Sequence, residues 1–279
     1  MAANVINAME ALASVKNFSL DHYSNLYKIG INSAGSRFEY FIKDALVGKF
    51  FSDEKSRGDA YHDNYSWLGN QNNPPDAIAK NGDAFEIKKQ ENPNGFIALN
   101  SSPPNDMLYN DDPRLTKYAK GCDGGNWKEK DLFYIVGWVY RNTVKSIYFV
   151  QGKTYAASRE CYDRISKNLS RAVKDAIKQL GYESSKTNEL GRINNADPLG
   201  RASLRVRGMW QIQSPHVAFH DWAPLDKEAK FQAYAIMTKD KYASMSPASN
   251  NIIEKDAEIP DPNNPANRIG AVILEVIIK

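Results

Sequence analysis

Cysteine is almost missing from this chain of 279 residues. Only Cys122 and Cys161 occur, so no disulfide framework staples the fold, and neither has the neighbours that a zinc site needs. Both read as plain thiols. Histidine is scarce as well, at four residues. His216 and His220 stand four apart, the spacing of a zinc-binding helix, but Pro215 beside them and the lack of a glutamate partner argue against a metalloprotease. Structural or nucleic-acid-facing roles remain for them. No apolar run approaches the roughly 20 residues that span a membrane, and no positively charged, apolar leader opens the chain. A reducing cytoplasm without membrane partners is the expectation. Neither sign of charge dominates: 36 Lys and Arg against 33 Asp and Glu leave +3, which permits nucleic-acid contact without requiring it.

What is present is ordinary globular material, 42% hydrophobic and 25% charged, enough to bury a full core. No repeat, low-complexity tract or strong linker interrupts it, so one domain over residues 1–279 is expected. Apolar residues recur at helical spacing from Val5 to Val15, and again at Phe38, Phe41, Ile42, Ala45 and Leu46 after Gly35 and Ser36. Two helices should therefore occupy residues 1–50. Glu39 falls in the first turn of the second, where a carboxylate suits the helix dipole, and it can also reach a metal site. Leu132 to Tyr140 and Val144 to Val150 are β-branched and aromatic, and they extend a sheet core placed over residues 74–151. Ala98 to Asn110 and Gly121 to Trp127 are rich in Asn, Ser, Pro and Gly and read as loops, so Asn100, Ser101 and Ser102 are candidates to touch a substrate. Ser158 should cap a helix with apolar positions Tyr162, Ile165, Leu169, Val173, Ala176 and Leu180, ended by Gly181 and packed on the sheet. Ile259 to Pro265 reads as a connection before a last strand, Ala271 to Ile278.

The stretch PPDAIAKNGDAFEIK, residues 74 to 88, carries the chemistry. Two carboxylates on adjacent strands can hold a hard divalent cation, and a lysine beside them can stabilise developing phosphate charge or position an attacking water. Parity decides whether Asp76, Glu86 and Lys88 can act together. A two-residue Asn81-Gly82 turn pairs Lys80 with Asp83 and puts Asp76 on the face away from Glu86. A three-residue loop, Lys80-Asn81-Gly82 with Gly82 left-handed, pairs Ala79 with Asp83 and sets Asp76 opposite Glu86, with Lys88 on the same face and Phe85 and Ile87 in the core. The three-residue loop is the expectation. The bland alternative is a solvated surface hairpin, since short acid-x-lysine strings arise by chance.

A second constellation lies within residues 189–222. Arg192, Arg201, Arg205 and Arg207 gather beside Asn194, Asn195, Trp210, Gln211 and Gln213, side chains that read base edges or hold phosphates. Arg205 and Arg207 alternate with Leu204 and Val206, so a strand there would present both arginines on one face. The competing reading is a charged strand edge that blocks aggregation. Convergence of four arginines and several amides with a metal-binding motif favours a DNA-recognition segment.

These segments resemble type II restriction endonucleases of the PD-(D/E)xK superfamily, and more closely the NgoPII-like group. SWLGNQNNPPDAIAKNGDAFEIKK, IALNSSPP, KDLFYIVG and DPLGRASLRVRGMW look like that group's segments in the same order. The resemblance implies an α/β, restriction-endonuclease-like core with a central mixed sheet flanked by helices. It also implies Mg²⁺-dependent double-strand cleavage leaving 5′-phosphates, with Mn²⁺ as substitute and Ca²⁺ supporting binding without cleavage. Homodimers acting on short palindromes, a GGCC or related G/C-rich target, a cognate methyltransferase sharing that DNA site without stable binding, and a prokaryotic cytoplasm follow from the same source. Asp76, Glu86 and Lys88 match the family motif, with Glu39 as a fourth acid. One departure is visible: where the group can carry a second cysteine near Cys122, this chain has Gly125 and Asn126. Two rivals stand beside this reading. A structure-specific repair or recombination nuclease would nick branched DNA instead of giving discrete fragments. A non-catalytic DNA-binding regulator would have no need of carboxylates beside phosphate.

Overall fold

Runs of β-branched and aromatic residues bury on both faces only where helices cover a sheet, and the longest such runs in this chain become its central strands. The computed structural model describes residues 2–25, 34–70, 73–187, 189–249 and 251–279. Gln71 and Asn72, inside one of the segments quoted above, lie outside the described residues. In chain order the helices are α1 (Val5–Ser14), α2 (His22–Asn25), α3 (Ala34–Val47), α4 (Glu54–Asn64), α5 (Lys117–Gly121), α6 (Arg159–Gln179), α7 (Pro215–Ala218) and α8 (Lys239–Ala243). The strands are β1 (Tyr65–Asn70), β2 (Asn73–Ala79), β3 (Ala84–Gln90), β4 (Phe96–Asn100), β5 (Met107–Tyr109), β6 (Glu129–Tyr140), β7 (Thr143–Gln151), β8 (Gly191–Ile193), β9 (Leu204–Val206), β10 (Trp210–Gln213), β11 (Phe231–Thr238), β12 (Ile253–Asp261) and β13 (Asn264–Ile278).

The chain divides into two compact units: residues 1–95, 106–156 and 214–279 form the first, and residues 96–105 and 157–213 the second. The first unit holds a nine-stranded sheet in the order β1-β2-β3-β6-β7-β11-β13-β12, with β5 on an edge of β6. Strands β3 and β6 run parallel, as do β7 and β11, and the other pairs are antiparallel, so the sheet is mixed, as expected. Helix α1 starts where the Asn4 side chain accepts the Asn7 N–H at 2.8 Å, and it buries Val5, Ile6, Met9 and Leu12. Helix α3 buries Phe38, Phe41, Ile42, Ala45 and Leu46 in the same core. Gly137 in β6 makes its close approach possible, since a Cβ there would stand 2.0 Å from the Phe38 ring. Asp44 locks α3 to its neighbours: fully buried, it accepts from Tyr23 Oη (2.8 Å), Tyr61 Oη (2.7 Å) and Arg57 Nε (3.0 Å).

Several expectations need correction. Among the described residues four helical segments precede β1, where two are expected from the sequence. Helix α4 carries no apolar stripe and buries only Arg57 and Tyr61, so its signal is the Asp53 cap on the Ser56 N–H (2.8 Å) and not periodicity. Glu39 sits beyond the first turn of α3 and pairs with Lys43 Nζ at 2.5 Å, which replaces the dipole argument with an ion pair. Residues 98–110 are not all loop: β4 pairs with β10 more than a hundred residues later, and β5 pairs with β6. Residues 259–265 are the end of a long β12–β13 hairpin, Asp261 lying opposite Asn264, and the prolines are accepted because this is the outer end of an edge strand. Helix α6, expected to pack on the sheet, belongs to the second unit, where it meets β8. A Cβ on Gly191 would stand 2.6 Å from Val173, and Ser170 Oγ donates to the Leu190 carbonyl at 3.1 Å. Of the expected apolar stripe, Ile165, Leu169, Ala176 and Leu180 are exposed and Tyr162 and Val173 only half-buried, while Ile177, outside that stripe, is buried, so the pattern does not mark a buried face here.

Candidate functional site

The β2–β3 hairpin has the register that brings the acids together. Ala77 faces Phe85, Ile78 faces Ala84, and the Ala79 N–H donates to the Asp83 carbonyl at 2.9 Å. Continued one step, that register sets Asp76 opposite Glu86. The loop is Lys80-Asn81-Gly82, but its left-handed residue is Asn81 (φ 51°) and not Gly82. Asparagine tolerates that conformation. The loop is anchored from below: Lys130 Nζ donates to the Gly82 carbonyl (3.1 Å) and to Asp123 (2.7 Å), while Lys241 bridges Asp83 (2.5 Å) and Asp131 (3.1 Å). Burial pushes the Asp83 carboxyl up, with Lys241 opposing.

Alternation then sorts the side chains. Ala77, Ala79, Phe85 and Ile87 are buried, whereas Asp76, Glu86 and Lys88 are only partly so. Proline explains why Asp76 turns as it does. The Ala79–Asp83 pair carries one ladder hydrogen bond, from the Ala79 N–H, and hydrogen-bonded positions recur every second residue, so the next in line are Ala77 with Phe85 and then Pro75 with Ile87. Pro75 has no N–H to offer, and its carbonyl accepts instead from Trp67 Nε1 at 3.0 Å. The Ile87 N–H, left over, donates to Asp76 Oδ2 at 2.6 Å, which fixes the carboxylate over β3. Gly69 in β1 admits the Pro75 carbonyl, since a Cβ there would lie 2.1 Å from it.

The charges at this face interact strongly. Lys88 Nζ donates to Glu86 Oε1 at 2.5 Å. Burial, then the Asp76 charge, push the Glu86 carboxyl above its usual range against the pull of Lys88, and Glu39 adds to the repulsion. Burial works against the Lys88 ammonium, but Glu86, Asp76 and Glu39 outweigh it and raise its pKa. Glu39 on α3 thus shares the electrostatic environment of the hairpin acids, with Lys43 as its own partner. Among the described residues no three His, Cys, Asp or Glu side chains converge tightly enough to form a metal cluster. Asp76 and Glu86 form a two-carboxylate set of hard oxygen donors, and the proton affinity of Glu86 is raised first by burial and then by the Asp76 charge, with Lys88 opposing. That suits Mg²⁺, which keeps several waters and takes one or two carboxylates together with substrate phosphate. Lys88 occupies the cationic place beside Glu86 in the free chain.

The DNA-contact candidates of the sequence lie in the second unit. Arg192 and Arg205 face each other across the β8–β9 ribbon, and Arg192 Nε donates to Asn194 Oδ1 at 2.9 Å. Arg205 and Arg207 do come together, on the carboxylate of Glu189, at 2.6 Å each. Sequence reasoning passes over Glu189, although it lies within reach in the same segment. Asn195 is left-handed (φ 54°), and the Arg201 N–H donates to Asp197 at 2.8 Å with its side chain exposed. Asn100 pairs with Trp210 across β4–β10, and Ser101 and Ser102 turn away from that strand as the Ser102 N–H donates to the Leu99 carbonyl at 3.2 Å. Trp210 packs edge-on against Tyr162, ring centroids 5.6 Å apart, and Gln211 and Gln213 are exposed. His216 and His220 part company: His216 is buried between Ser146 and Ser214, and His220 is exposed. Both cysteines are free thiols. No helix among the described residues is long and apolar enough to cross a membrane.

Comparison with known proteins bears on most of the chain. Residues 3–263 match the model of a family described as NgoPII restriction endonuclease. Over 280 aligned residues the chain is 36% identical to the type II restriction enzyme NgoPII of Neisseria gonorrhoeae, an alignment that covers 97% of this chain and 98% of that protein. No solved structure matches it.

Proposed function

Because the chain belongs to the NgoPII restriction endonuclease family, and is a type II site-specific deoxyribonuclease acting on DNA, we propose that the β2–β3 hairpin is its active site. The observation that carries this reading is the hairpin register, which gathers Asp76, Glu86 and Lys88 on one face. Asp76 and Glu86 would hold Mg²⁺, with Mn²⁺ able to replace it and Ca²⁺ supporting binding alone. When bound, the ion supplies Lewis-acid polarisation of the scissile phosphate and makes hydroxide available near neutral pH.

The chain's own groups do the rest. The Ile87 N–H holds the Asp76 carboxylate over β3, so one donor is set before DNA arrives. Lys88, beside Glu86 on the same face, would orient the attacking water or stabilise the charge that builds on the phosphate. Glu39, held by Lys43, adds a carboxylate that repels premature anion entry and helps to concentrate cations. In-line attack expels the 3′ oxygen and leaves a 5′-phosphate. Arg192, Arg201, Arg205 and Arg207, with Asn194, Asn195, Trp210, Gln211 and the turn Asn100 to Ser102, contact the DNA, some reading bases and others holding phosphates. One nuclease domain spans the chain, with the second unit as its recognition part.

A homodimer reading a short palindrome, GGCC or a related site, gives each subunit one half-site and one cut. A cognate methyltransferase would protect the same site without forming a stable complex, in a prokaryotic cytoplasm. Digestion of plasmid DNA in Mg²⁺ followed by sequencing of the fragment ends tests this directly. Discrete fragments with 5′-phosphates at GGCC support it; junction-dependent nicking would favour a repair nuclease.

A further inference from the structure

The β8–β9 ribbon is three residues long on each strand and carries arginines directly opposite one another, Arg192 against Arg205, with Arg207 following. Like charges facing across an antiparallel pair repel, and a two-stranded ribbon is only marginally stable alone. Arg205 grips Glu189 side-on: its Nε lies 3.1 and 3.0 Å from the two carboxylate oxygens and its Nη2 2.6 Å from one of them. Arg207 brings its Nε to the same carboxylate at 2.6 Å. The order in depth is clear, because the Glu189 side chain is only 10% exposed while those of Arg205 and Arg207 are 50% and 58% exposed. The carboxylate lies beneath and the guanidiniums lie outside.

A guanidinium carries five N–H donors. For Arg205 the carboxylate takes the Nε–Nη2 edge, which leaves the terminal Nη1–Nη2 fork with two parallel donors on a half-exposed side chain. That fork fits the O6 and N7 acceptors of guanine. Arg192 shows the same arrangement with a neutral partner, its Nε on Asn194 Oδ1. We infer that Glu189 is a positioning residue for sequence reading: it holds Arg205 and Arg207 by their inner edges so that their outer forks meet guanine. The inference rests on the reading above, in which these arginines contact DNA. Without the carboxylate the two guanidiniums repel each other and rotate freely. Contacts to phosphate, which tolerate many geometries, then persist, while bidentate contacts to bases do not.

The test is a discrimination ratio: binding in Ca²⁺ to a short duplex centred on the mapped cleavage site, divided by binding to a duplex with that centre scrambled. Glu189→Gln keeps the size and removes the charge. It is expected to lower the ratio about ten- to a hundredfold, the loss of one or two bidentate base contacts. Affinity for the scrambled duplex should hold or rise slightly, since a negative charge has gone. Glu189→Asp, which keeps the charge but cannot span both arginines, should fall between and decides the matter if Glu189→Gln does not fold by circular dichroism. A ratio unchanged in both Glu189 variants while Arg205→Ala lowers it overturns the positioning role and leaves the arginine reading intact. A ratio unchanged in Arg205→Ala and Arg207→Ala removes that reading and the inference with it. Tighter binding of both duplexes by Glu189→Gln at a constant ratio would mean that Glu189 competes with DNA, which also overturns the proposal.

Discussion

His216 links stability to pH in a way that can be worked through in advance. Its ring is 3% exposed, with Ser146 Oγ at 2.6 Å from Nε2 and Ser214 Oγ at 2.9 Å from Nδ1. Ser214 spends its only proton on Gln90 Oε1 at 2.8 Å, so its oxygen accepts from the Nδ1–H and Nε2 accepts from Ser146. The neutral ring satisfies every partner, and burial lowers its pKa from 6.5 to about 4. A histidine whose folded pKa is depressed binds its proton more readily when unfolded. Its contribution is therefore complete above about pH 6.5 and is lost as pH falls toward about 4. At about pH 5 the loss amounts to roughly 2 kcal/mol, against a total of about 5–15 kcal/mol for a typical domain. Urea unfolding of the wild-type chain and of His216→Gln at about pH 7.5 and 5 isolates this group from the other acids. The gap in stability between the two proteins should narrow by roughly 2 kcal/mol at the lower pH. A gap independent of pH would refute the argument.

Other perturbations follow from the same coordinates. Asp44→Ala leaves the Arg57 guanidinium buried without a counter-ion and should cost about 3–5 kcal/mol, read by thermal unfolding; Asp44→Leu combined with Arg57→Met should cost much less than the two single changes summed. In the β2–β3 hairpin, Asn81→Val forces a branched residue into a left-handed conformation and should cost about 1–2 kcal/mol. Gly82→Ala, whose new methyl meets the Ala79 Cβ at 3.1 Å and the Lys80 and Ala79 carbonyl oxygens at 3.7 and 3.8 Å, should cost less than about 1 kcal/mol; the reverse order would place the left-handed residue at Gly82.

Parity makes the hairpin register legible in the sequence: an odd loop ending in Gly82 brings Asp76 across from Glu86, and the observed pairing of Ala77 with Phe85 and Ile78 with Ala84 is the register this requires. The local choice within that loop is less legible, because Asn81 and Gly82 both accept a left-handed backbone, and the contacts that hold the loop, such as the Lys130 bond to the Gly82 carbonyl, come from residues distant in the chain. The strands β6 and β7 are evident from composition. Strand β4 is not, as its partner β10 lies far along the chain and short polar segments look like loops until they pair. The second unit is hidden for the same reason: it is assembled from residues 96–105 and 157–213, with no linker to mark it. Alternation places Arg205 and Arg207 on one side, but the counter-ion that collects them, Glu189, emerges only from the fold.

The central claim is that Asp76, Glu86 and Lys88 act together on the scissile phosphate. Its most direct test is to follow plasmid cleavage in Mg²⁺ and duplex binding in Ca²⁺ for the wild-type chain and for Asp76→Ala, with folding checked by circular dichroism. Cleavage should disappear in Asp76→Ala while site-specific binding persists, because binding energy comes mainly from basic and base-reading groups. Undiminished Mg²⁺-dependent cutting by Asp76→Ala would contradict the account.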